Sequence, residues 1–145
     1  MSQENVEIAR AAFEAWNAGE LQLPDVLSRF HPQIVYHPRA DEPDPSPHVG
    51  RDAYERLVYG FVESFSEVTF EVLELIDAGD YVIASTVLHA VPHGQGSAIA
   101  ARVSDTYVFV YKLRDGLIVE GWEYRTKQEA LEAVGLSEKD AHADS

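Results

Sequence analysis

Four side chains in this 145-residue sequence have the chemistry for proton transfer. His37 stands in "YHP", Asp105 and Tyr107 are two residues apart in "SDTY", and Glu123 stands in "WEY" near the end of the chain. Histidine exchanges a proton near neutral pH, a carboxyl group among aromatic rings has a raised pKa, and a tyrosine hydroxyl can donate to a carbonyl. We therefore predict His37 as a general base, Asp105 or Glu123 as the second acid–base group, and Tyr107 as the donor to a substrate carbonyl.

Asp105 is the one charged residue on an otherwise apolar strand face. The segment "RVSDTYVFVYKLRDG", residues 102–116, predicts a long strand, one face of which carries Val103, Asp105, Tyr107, Phe109, Tyr111 and Leu113. A buried carboxylate costs free energy unless it is paired or protonated, so this position predicts a working acid–base group. Two alternatives are a bulge near Ser104 that turns the side chain to solvent, and an ion pair with Arg39, Arg51 or Arg102.

His37 and Glu123 also have structural interpretations. His37 could be a hydrogen-bonded pocket residue or a half-exposed strand residue without a catalytic role. Glu123 could be a structural carboxylate that binds a backbone N–H, Arg102 or Arg125. The residue types are compatible with both interpretations, and only placement in the fold distinguishes them.

Composition disfavours several classes of function. The sequence has no cysteine, so we predict no thiolate chemistry, and no GxSxG motif, so we predict no hydrolase nucleophile elbow. His89 and His93 flank a turn instead of sharing a helix face, so we predict no metal site. The net charge of −14 argues against nucleic acids and anionic membranes as partners. No apolar run approaches the roughly 20 residues that cross a bilayer, and the first residues do not resemble a secretory signal. We expect a cytoplasmic protein without a cofactor.

The elements that position these residues are predicted as helices first and strands later. Helices are indicated at Gln3–Ala18, in "LPDVLSRF" and in "RDAYERLVYGFVESF", with the short strand "QIVYHP" before the third. Four strands follow, and a change of phase within "FEVLEL" predicts a β-bulge in the first of them. A capping box at Thr126–Glu129 begins a last short helix. This order predicts one α+β domain at residues 1–136, followed by a flexible tail at 137–145.

A proline-rich segment separates the first strand from the third helix. The run "PRADEPDPSPHVG", residues 38–50, contains four prolines and three acids, which predicts that it forms no regular structure. Its length predicts either a flap over a site or a disordered excursion.

Several motifs, in this order of elements, resemble one superfamily. They are the "RDG" turn followed by two hydrophobic residues (Arg114–Ile118), an acid between two aromatic residues (Trp122–Tyr124), the ending "EALEAVGL", and "DEPDPSPHVGRDA" before the third helix. Over roughly residues 4–136 the chain resembles the SnoaL-like branch of the nuclear transport factor 2-like superfamily. The resemblance implies an α+β cone, in which a curved antiparallel sheet wraps around a pocket, three helices of the N-terminal half close it, and a short C-terminal helix follows.

Enzymes of this shape include polyketide cyclases, ketosteroid isomerase, scytalone dehydratase and limonene epoxide hydrolase, and other relatives only bind ligands or dimerise. The resemblance to ketosteroid isomerase places its general base at His37 and its oxyanion-stabilising Asp near Phe109. The resemblance to the epoxide hydrolase places its second acid at Glu123 and its Arg and other Asp at Ala84 and Thr86. Because Phe109, Ala84 and Thr86 lack the functional groups of those enzymes, neither reaction is implied as it stands.

The resemblance also implies which residues face the pocket. Besides the four proton-transfer candidates, the expected lining consists of Trp16, Val35, Arg39, Tyr59, Phe61, Phe109, Tyr111 and Gly121. The function expected is binding of a small apolar molecule, with cofactor-free acid–base catalysis of the isomerase, cyclase or dehydratase type. The alternative is a non-catalytic ligand-binding or dimerisation module. A homodimer is expected through the outer face of the sheet, where Val108, Val110 and Ile118 supply apolar surface.

Overall fold

Four α-helices, one short 3-10 helix (Glu20–Gln22) and seven strands make up the regular structure in the part of the chain that is described, residues 2–93, 103–135 and 142–143 of a computed structural model. The helices are α1 (Ser2–Asn17), α2 (Leu23–Leu27), α3 (Arg51–Glu63) and α4 (Lys127–Ala133). The strands are β1 (Phe30–His37), β2 (His48–Val49), β3 (Phe65–Ala78), β4 (Tyr81–Pro92), β5 (Val103–Arg114), β6 (Leu117–Tyr124) and β7 (His142–Ala143).

All strands belong to one sheet, in the order β2-β1-β6-β5-β4-β3-β7. The predicted α+β class is confirmed, with one difference in strand direction. Every neighbouring pair is antiparallel except β1 and β6, which run parallel. Because α3 and the whole β3–β5 meander lie between these two strands in the chain, no hairpin connects them, and a parallel pairing is free to form.

The predicted bulge in β3 is confirmed. Val72 pairs with Thr86 and Glu74 with Ser85, so Leu73 has no partner on β4, and its side chain is 54% exposed. An extra residue on one strand bends the sheet locally and switches which side chains face inward. The bend helps the sheet to curve around α1, which packs against β3 and β4.

Apolar side chains are buried on both faces of the sheet. The concave face packs against α1, α2 and α3 in the larger core. On the convex face, α4 covers Ile76, Ile83, Val108 and Val110 with Ala130 and Leu131. The helix begins at the predicted capping box, in which Thr126 accepts from the backbone of Glu129 and Glu129 accepts from the backbone of Thr126.

The predicted dimer surface is wrong in its residues. Val108 and Val110 are 0% and 1% exposed because α4 of the same chain covers them, and Ile118 is buried in the larger core. These three side chains are therefore not available to a second copy. The homodimer itself stays a prediction.

The C-terminal segment differs from the predicted flexible tail at two residues. His142 and Ala143 form β7, which pairs with Asp77 and Ile76 of β3. The remainder of residues 136–145, and Arg102 with most of the "PHGQGS" turn, lie outside the described residues. In the described parts, no helix is long and apolar enough to cross a membrane.

Candidate functional site

A cavity of about 420 Å³ lies between the concave face of the sheet and the three N-terminal helices. Its wall is mostly aromatic, with rings from α1 and from strands β3 and β5. The members used below are Phe13, Trp16, Phe70, Tyr107, Phe109 and Tyr111. A cavity of this size and composition is typical of sites for small, largely apolar molecules.

The strands of the sheet supply these rings by alternation. On β5 the odd positions Tyr107, Phe109 and Tyr111 face the cavity, and their rings stack in sequence at centroid distances of 6.0 and 5.7 Å. Phe13 of α1 meets Phe70 of β3 edge to face at 5.9 Å. Because each ring is held between neighbours, the apolar part of the wall is pre-formed.

Glu123 is the acid that the sheet contributes to the lining of this cavity. It lies on β6 and faces inward, where one carboxylate oxygen accepts a hydrogen bond from the hydroxyl of Tyr36 on β1. The other oxygen accepts from the backbone N–H of Arg39 at 3.3 Å. The parallel pairing of β1 with β6, in which Tyr36 lies opposite Gly121, brings the two residues together.

The surroundings of Glu123 hold its pKa near neutrality. Burial in the aromatic wall raises the pKa of this carboxyl from 4.5 to about 7, and the negative charge of Glu42 adds to the rise. The hydrogen bonds from Tyr36 and from the Arg39 backbone, with the charge of Arg39, oppose it. A carboxyl group balanced in this way can both take and return a proton near pH 7.

Three buried tyrosines surround the carboxyl. Burial, reinforced by the charge of Glu123, raises the pKa of Tyr36, Tyr54 and Tyr111 well beyond the usual 10, so all three phenols stay protonated at neutral pH. The hydroxyls of Tyr54 and Tyr111 hydrogen-bond no residue in the described part of the chain. They remain available as donors to a bound molecule.

Gly121 makes room for the rings near Glu123, although it was predicted to line the cavity itself. A Cβ atom at this position would come within 3.0 Å of Tyr36 Cδ1 and 3.3 Å of Tyr111 Cδ1. The two rings therefore lie over Gly121 and separate it from the cavity. The prediction is corrected: Gly121 supports the wall from behind.

His37 and Val35 do not face the cavity, so both predictions are wrong. Side chains alternate along a strand, and on β1 Tyr36 faces inward. His37 lies on the opposite face, where its Nε2 atom is 2.8 Å from an oxygen of Glu120 and its ring stacks on Trp122 at 5.3 Å. These contacts match the half-exposed structural interpretation of His37.

Asp105 and Arg39 lie beside the cavity instead of in its lining. The predicted register of β5 is right, but the strand continues past the cavity, and the Asp105 side chain is 47% exposed. Its carboxylate pairs with Arg39 Nη1 at 3.2 Å, which is the ion-pair alternative. The Arg39 guanidinium also pairs with Asp41 at 3.0 Å and lies 4.3 Å over the Tyr107 ring. Asp105 as a catalytic group and Arg39 as a lining residue are therefore corrected.

The remaining predicted residues divide by their position on the helices and strands. Trp16 and Phe61 lie in the wall with Tyr107, Phe109, Tyr111 and Glu123. Tyr59 is not in the lining, because it follows the inward-facing Val58 by one residue and is turned about 100° around the axis of α3. The catalytic roles of Tyr107 and Glu123 stay predictions.

Sequence reasoning identified two segments of the site but not the residues that they contribute. The first is β1, whose even positions Phe30, Ile34 and Tyr36 are the buried ones, a pattern that the alternation in "FHPQIVYH" contains. The second is the proline-rich segment 38–50, which contributes Pro38, Glu42, Asp44 and His48 to the wall. This position over the cavity matches the flap alternative for the segment.

Comparison with known proteins agrees with this architecture. A family model described as a SnoaL-like domain matches residues 9–121. No protein among the curated ones matches the sequence.

Solved structures of other proteins share the fold at low identity. Bal32a, from a soil-derived mobile gene cassette, superposes with a TM-score of 0.71 at 18% identity, covering 84% of this chain and 88% of that chain. A candidate polyketide cyclase from Xanthomonas campestris pv. campestris has a TM-score of 0.69 at 20% identity, covering 92% and 98%. A hypothetical protein from Catenulispora acidiphila with a ketosteroid isomerase-like fold, solved in complex with trimethylamine, has a TM-score of 0.68 at 17% identity, covering 90% and 94%.

These structural likenesses establish the cone-shaped fold alone, because the identities are low. The family is established by the sequence match, which spans most of the chain, from the middle of α1 to Gly121 in β6. On that basis, this chain belongs to the SnoaL-like domain family.

Proposed function

We propose that the protein binds a small, largely apolar molecule in the aromatic cavity and catalyses a proton transfer on it, with Glu123 as the acid–base group. The observation that carries the proposal is the placement of the Glu123 carboxyl, which lies in the cavity wall with a pKa of about 7. A base whose pKa matches the working pH combines a useful ionised fraction with a useful driving force for proton transfer.

The neighbours of Glu123 favour a mechanism with one carboxyl group. Across the sheet, Ala84 of β4 pairs with Phe109 of β5, and Phe109 pairs with Glu123 of β6. With Leu75 of β3, which pairs with Ala84, the row that contains Glu123 therefore holds three apolar side chains and no second acid. A single carboxyl group can remove a proton from a carbon acid and return it at another position, which is the chemistry of an isomerisation.

The tyrosines supply polar contacts for the bound molecule. Tyr36 holds the carboxyl in place, while Tyr54 and Tyr111 present protonated hydroxyls that can donate to a carbonyl oxygen as negative charge develops on it. These side chains take the role that was predicted for Tyr107. The candidate polyketide cyclase among the structural neighbours is compatible with chemistry of this class.

Kemp elimination of 5-nitrobenzisoxazole tests the proposal, because this aromatic probe needs only a base in an apolar cavity. The base removes the proton at C3 while the N–O bond breaks, and the product, 2-cyano-4-nitrophenolate, is coloured. We expect the rate to rise with pH with a midpoint near 7, and to be lost in Glu123→Gln. Glu120→Gln is the matched control, because Glu120 lies on the same strand and faces the other side of the sheet.

The outcomes separate the two functions considered. Loss of the rate in Glu123→Gln and not in Glu120→Gln supports catalysis by Glu123. Equal rates in the wild type and Glu123→Gln contradict it. If the probe binds without turnover in the wild type, the non-catalytic ligand-binding module is the better description.

A further inference from the structure

We propose that the cavity selects apolar molecules that carry one positive charge, such as an amine or a quaternary ammonium group on an aromatic body. The apolar body would occupy the aromatic interior, and the cationic group would lie near Glu42 and Asp44 of the proline-rich segment. This inference rests on the proposed binding function and specifies its ligand class.

Acidic side chains outnumber basic ones in the cavity wall, where His48 is the one basic side chain among the described lining residues. Three acidic side chains line the cavity, Glu42, Asp44 and Glu123, and the described lining includes no lysine or arginine. Asp44 is exposed, so the cavity reaches solvent beside it, while Glu42 is half-buried. A ligand in the cavity therefore meets carboxylates both from the proline-rich segment and from β6.

The nearest cation does not neutralise this wall. Arg39 pairs with both Asp41 and Asp105, at 3.0 and 3.2 Å, so two carboxylates balance its single charge. Its guanidinium already covers one face of the Tyr107 ring. Burial raises the pKa of Glu123 and of Tyr107, and the charge of Glu42 adds to the rise in both, whereas the charge of Arg39 opposes it.

The aromatic wall offers a second attraction for a cation. Trp16 and Phe70 meet edge to face at 5.4 Å, and Phe61 and Phe65 do so at 5.2 Å, and all four line the cavity. The faces of such rings attract ammonium groups, most strongly where water is excluded. An anionic ligand would gain neither attraction and would be repelled by the three carboxylates.

Three probes that share a naphthalene body and differ in charge test the inference. They are 1-naphthylmethylamine as the cation, 1-naphthalenemethanol as the neutral probe and 1-naphthoate as the anion. Binding to the full chain is measured by isothermal titration calorimetry at pH 8, where the carboxyl of Glu123 is ionised. We expect the amine to bind roughly tenfold more tightly than the alcohol, and the naphthoate to bind weakest.

Charge-removing variants locate the source of the preference. Glu42→Gln and Asp44→Asn should each lower the ratio of amine affinity to alcohol affinity by about threefold to fivefold. Because the ratio compares two probes on the same variant, a general loss of binding in the cavity does not change it. Glu132→Gln, on the exposed side of α4 across the sheet, is the matched control and should change neither affinity.

The possible results distinguish this inference from the function on which it rests. If the alcohol binds as tightly as the amine, selection for cations is wrong, and binding of an apolar molecule stands. If the amine preference survives in Glu42→Gln and Asp44→Asn, the proposed position of the cationic group is wrong. If none of the three probes binds, both the inference and the proposed binding function are contradicted.

Discussion

The hydroxyl of Tyr36 donates a hydrogen bond to the carboxylate of Glu123, although 87 residues separate them in the chain. The contact depends on the parallel pairing of β1 with β6, which places both side chains on the concave face. It stabilises the ionised carboxylate against the cost of burial, and so lowers the pKa of Glu123 from the value that burial alone would produce.

Tyr36→Phe should therefore raise the pKa of Glu123 above about 7. The phenylalanine keeps the ring and removes only the donor, so the remaining effect of burial is less opposed. The measurement is a titration of the 13C-labelled carboxyl by NMR. Tyr54→Phe is the control, because Tyr54 lies beside Tyr36 at a centroid distance of 4.8 Å and does not bind Glu123. An unchanged pKa in Tyr36→Phe would show that the hydrogen bond does not hold the carboxylate.

Glu123→Gln should stabilise the protein more at pH 8 than at pH 5. Because the pKa is 4.5 ordinarily and about 7 in the fold, the folded state binds more protons than the unfolded state between these values. The free energy of unfolding therefore falls as the pH rises through this window, by at most about 3 kcal/mol. Glutamine does not titrate, so the variant lacks this loss.

Urea unfolding of both proteins at pH 5 and pH 8 measures the difference. Glu120→Gln is the control, because this variant keeps Glu123 and should therefore show the same fall in the free energy of unfolding between pH 5 and pH 8 as the wild type. If the stability difference between the wild type and Glu123→Gln is the same at both pH values, the carboxyl titrates alike in the folded and unfolded states.

Gly121→Ala should destabilise the protein by about 1–3 kcal/mol and disturb the Tyr36–Glu123 contact. The new methyl group would lie 3.0 Å from the Tyr36 ring, so the ring must shift away from its position over residue 121. Thermal unfolding and the pH profile of the Kemp reaction measure the two effects.

Gly60→Ala is the contrasting variant. Gly60 lies inside α3 and an added Cβ atom would meet nothing within 4 Å, so this variant should gain about 1 kcal/mol from helix propensity. If Gly121→Ala is as stable as Gly60→Ala, the expected loss of stability at Gly121 is absent, and the rings move aside for the new methyl group without cost.

His37→Ala should leave the midpoint of the Kemp pH profile unchanged. The imidazole faces away from the cavity, pairs with Glu120 and stacks on Trp122, so its loss should cost only about 1 kcal/mol of stability. Steady-state rates from pH 5 to 9 test this, with Glu123→Gln measured beside it. A profile that loses its midpoint in His37→Ala would restore the histidine as the base.

Local patterns in the sequence predicted much of the fold. The alternation in β5 placed Tyr107, Phe109 and Tyr111 on one face, and the change of phase in β3 located the bulge at Leu73. The capping box at Thr126 located the start of α4. Each of these features depends on residues that are close in sequence, so a short stretch contains the information.

The candidate site was harder to predict because it joins distant segments. In the short strand "QIVYHP" the adjacent residues Val35 and Tyr36 are both apolar and point to opposite faces. The sequence of this strand therefore does not by itself identify the inner face. Pairing with β6 decides it, because Gly121 leaves space for the Tyr36 ring and turns His37 to the other side. A one-residue difference in register exchanged the predicted base for a structural residue.

By itself, then, the sequence determined that this chain forms a helix-then-strand α+β domain with an aromatic strand face and an acid on its last long strand. The tertiary structure alone decided which of the two predicted acids, Asp105 or Glu123, lies in the cavity wall. Asp105 stands on the face of β5 that lines the cavity, but it lies beyond the end of the cavity. There it pairs with Arg39 and is exposed to solvent. Glu123 stands where the rings exclude water, and the free energy of desolvation, which depends on all surrounding elements, brings its pKa near neutrality.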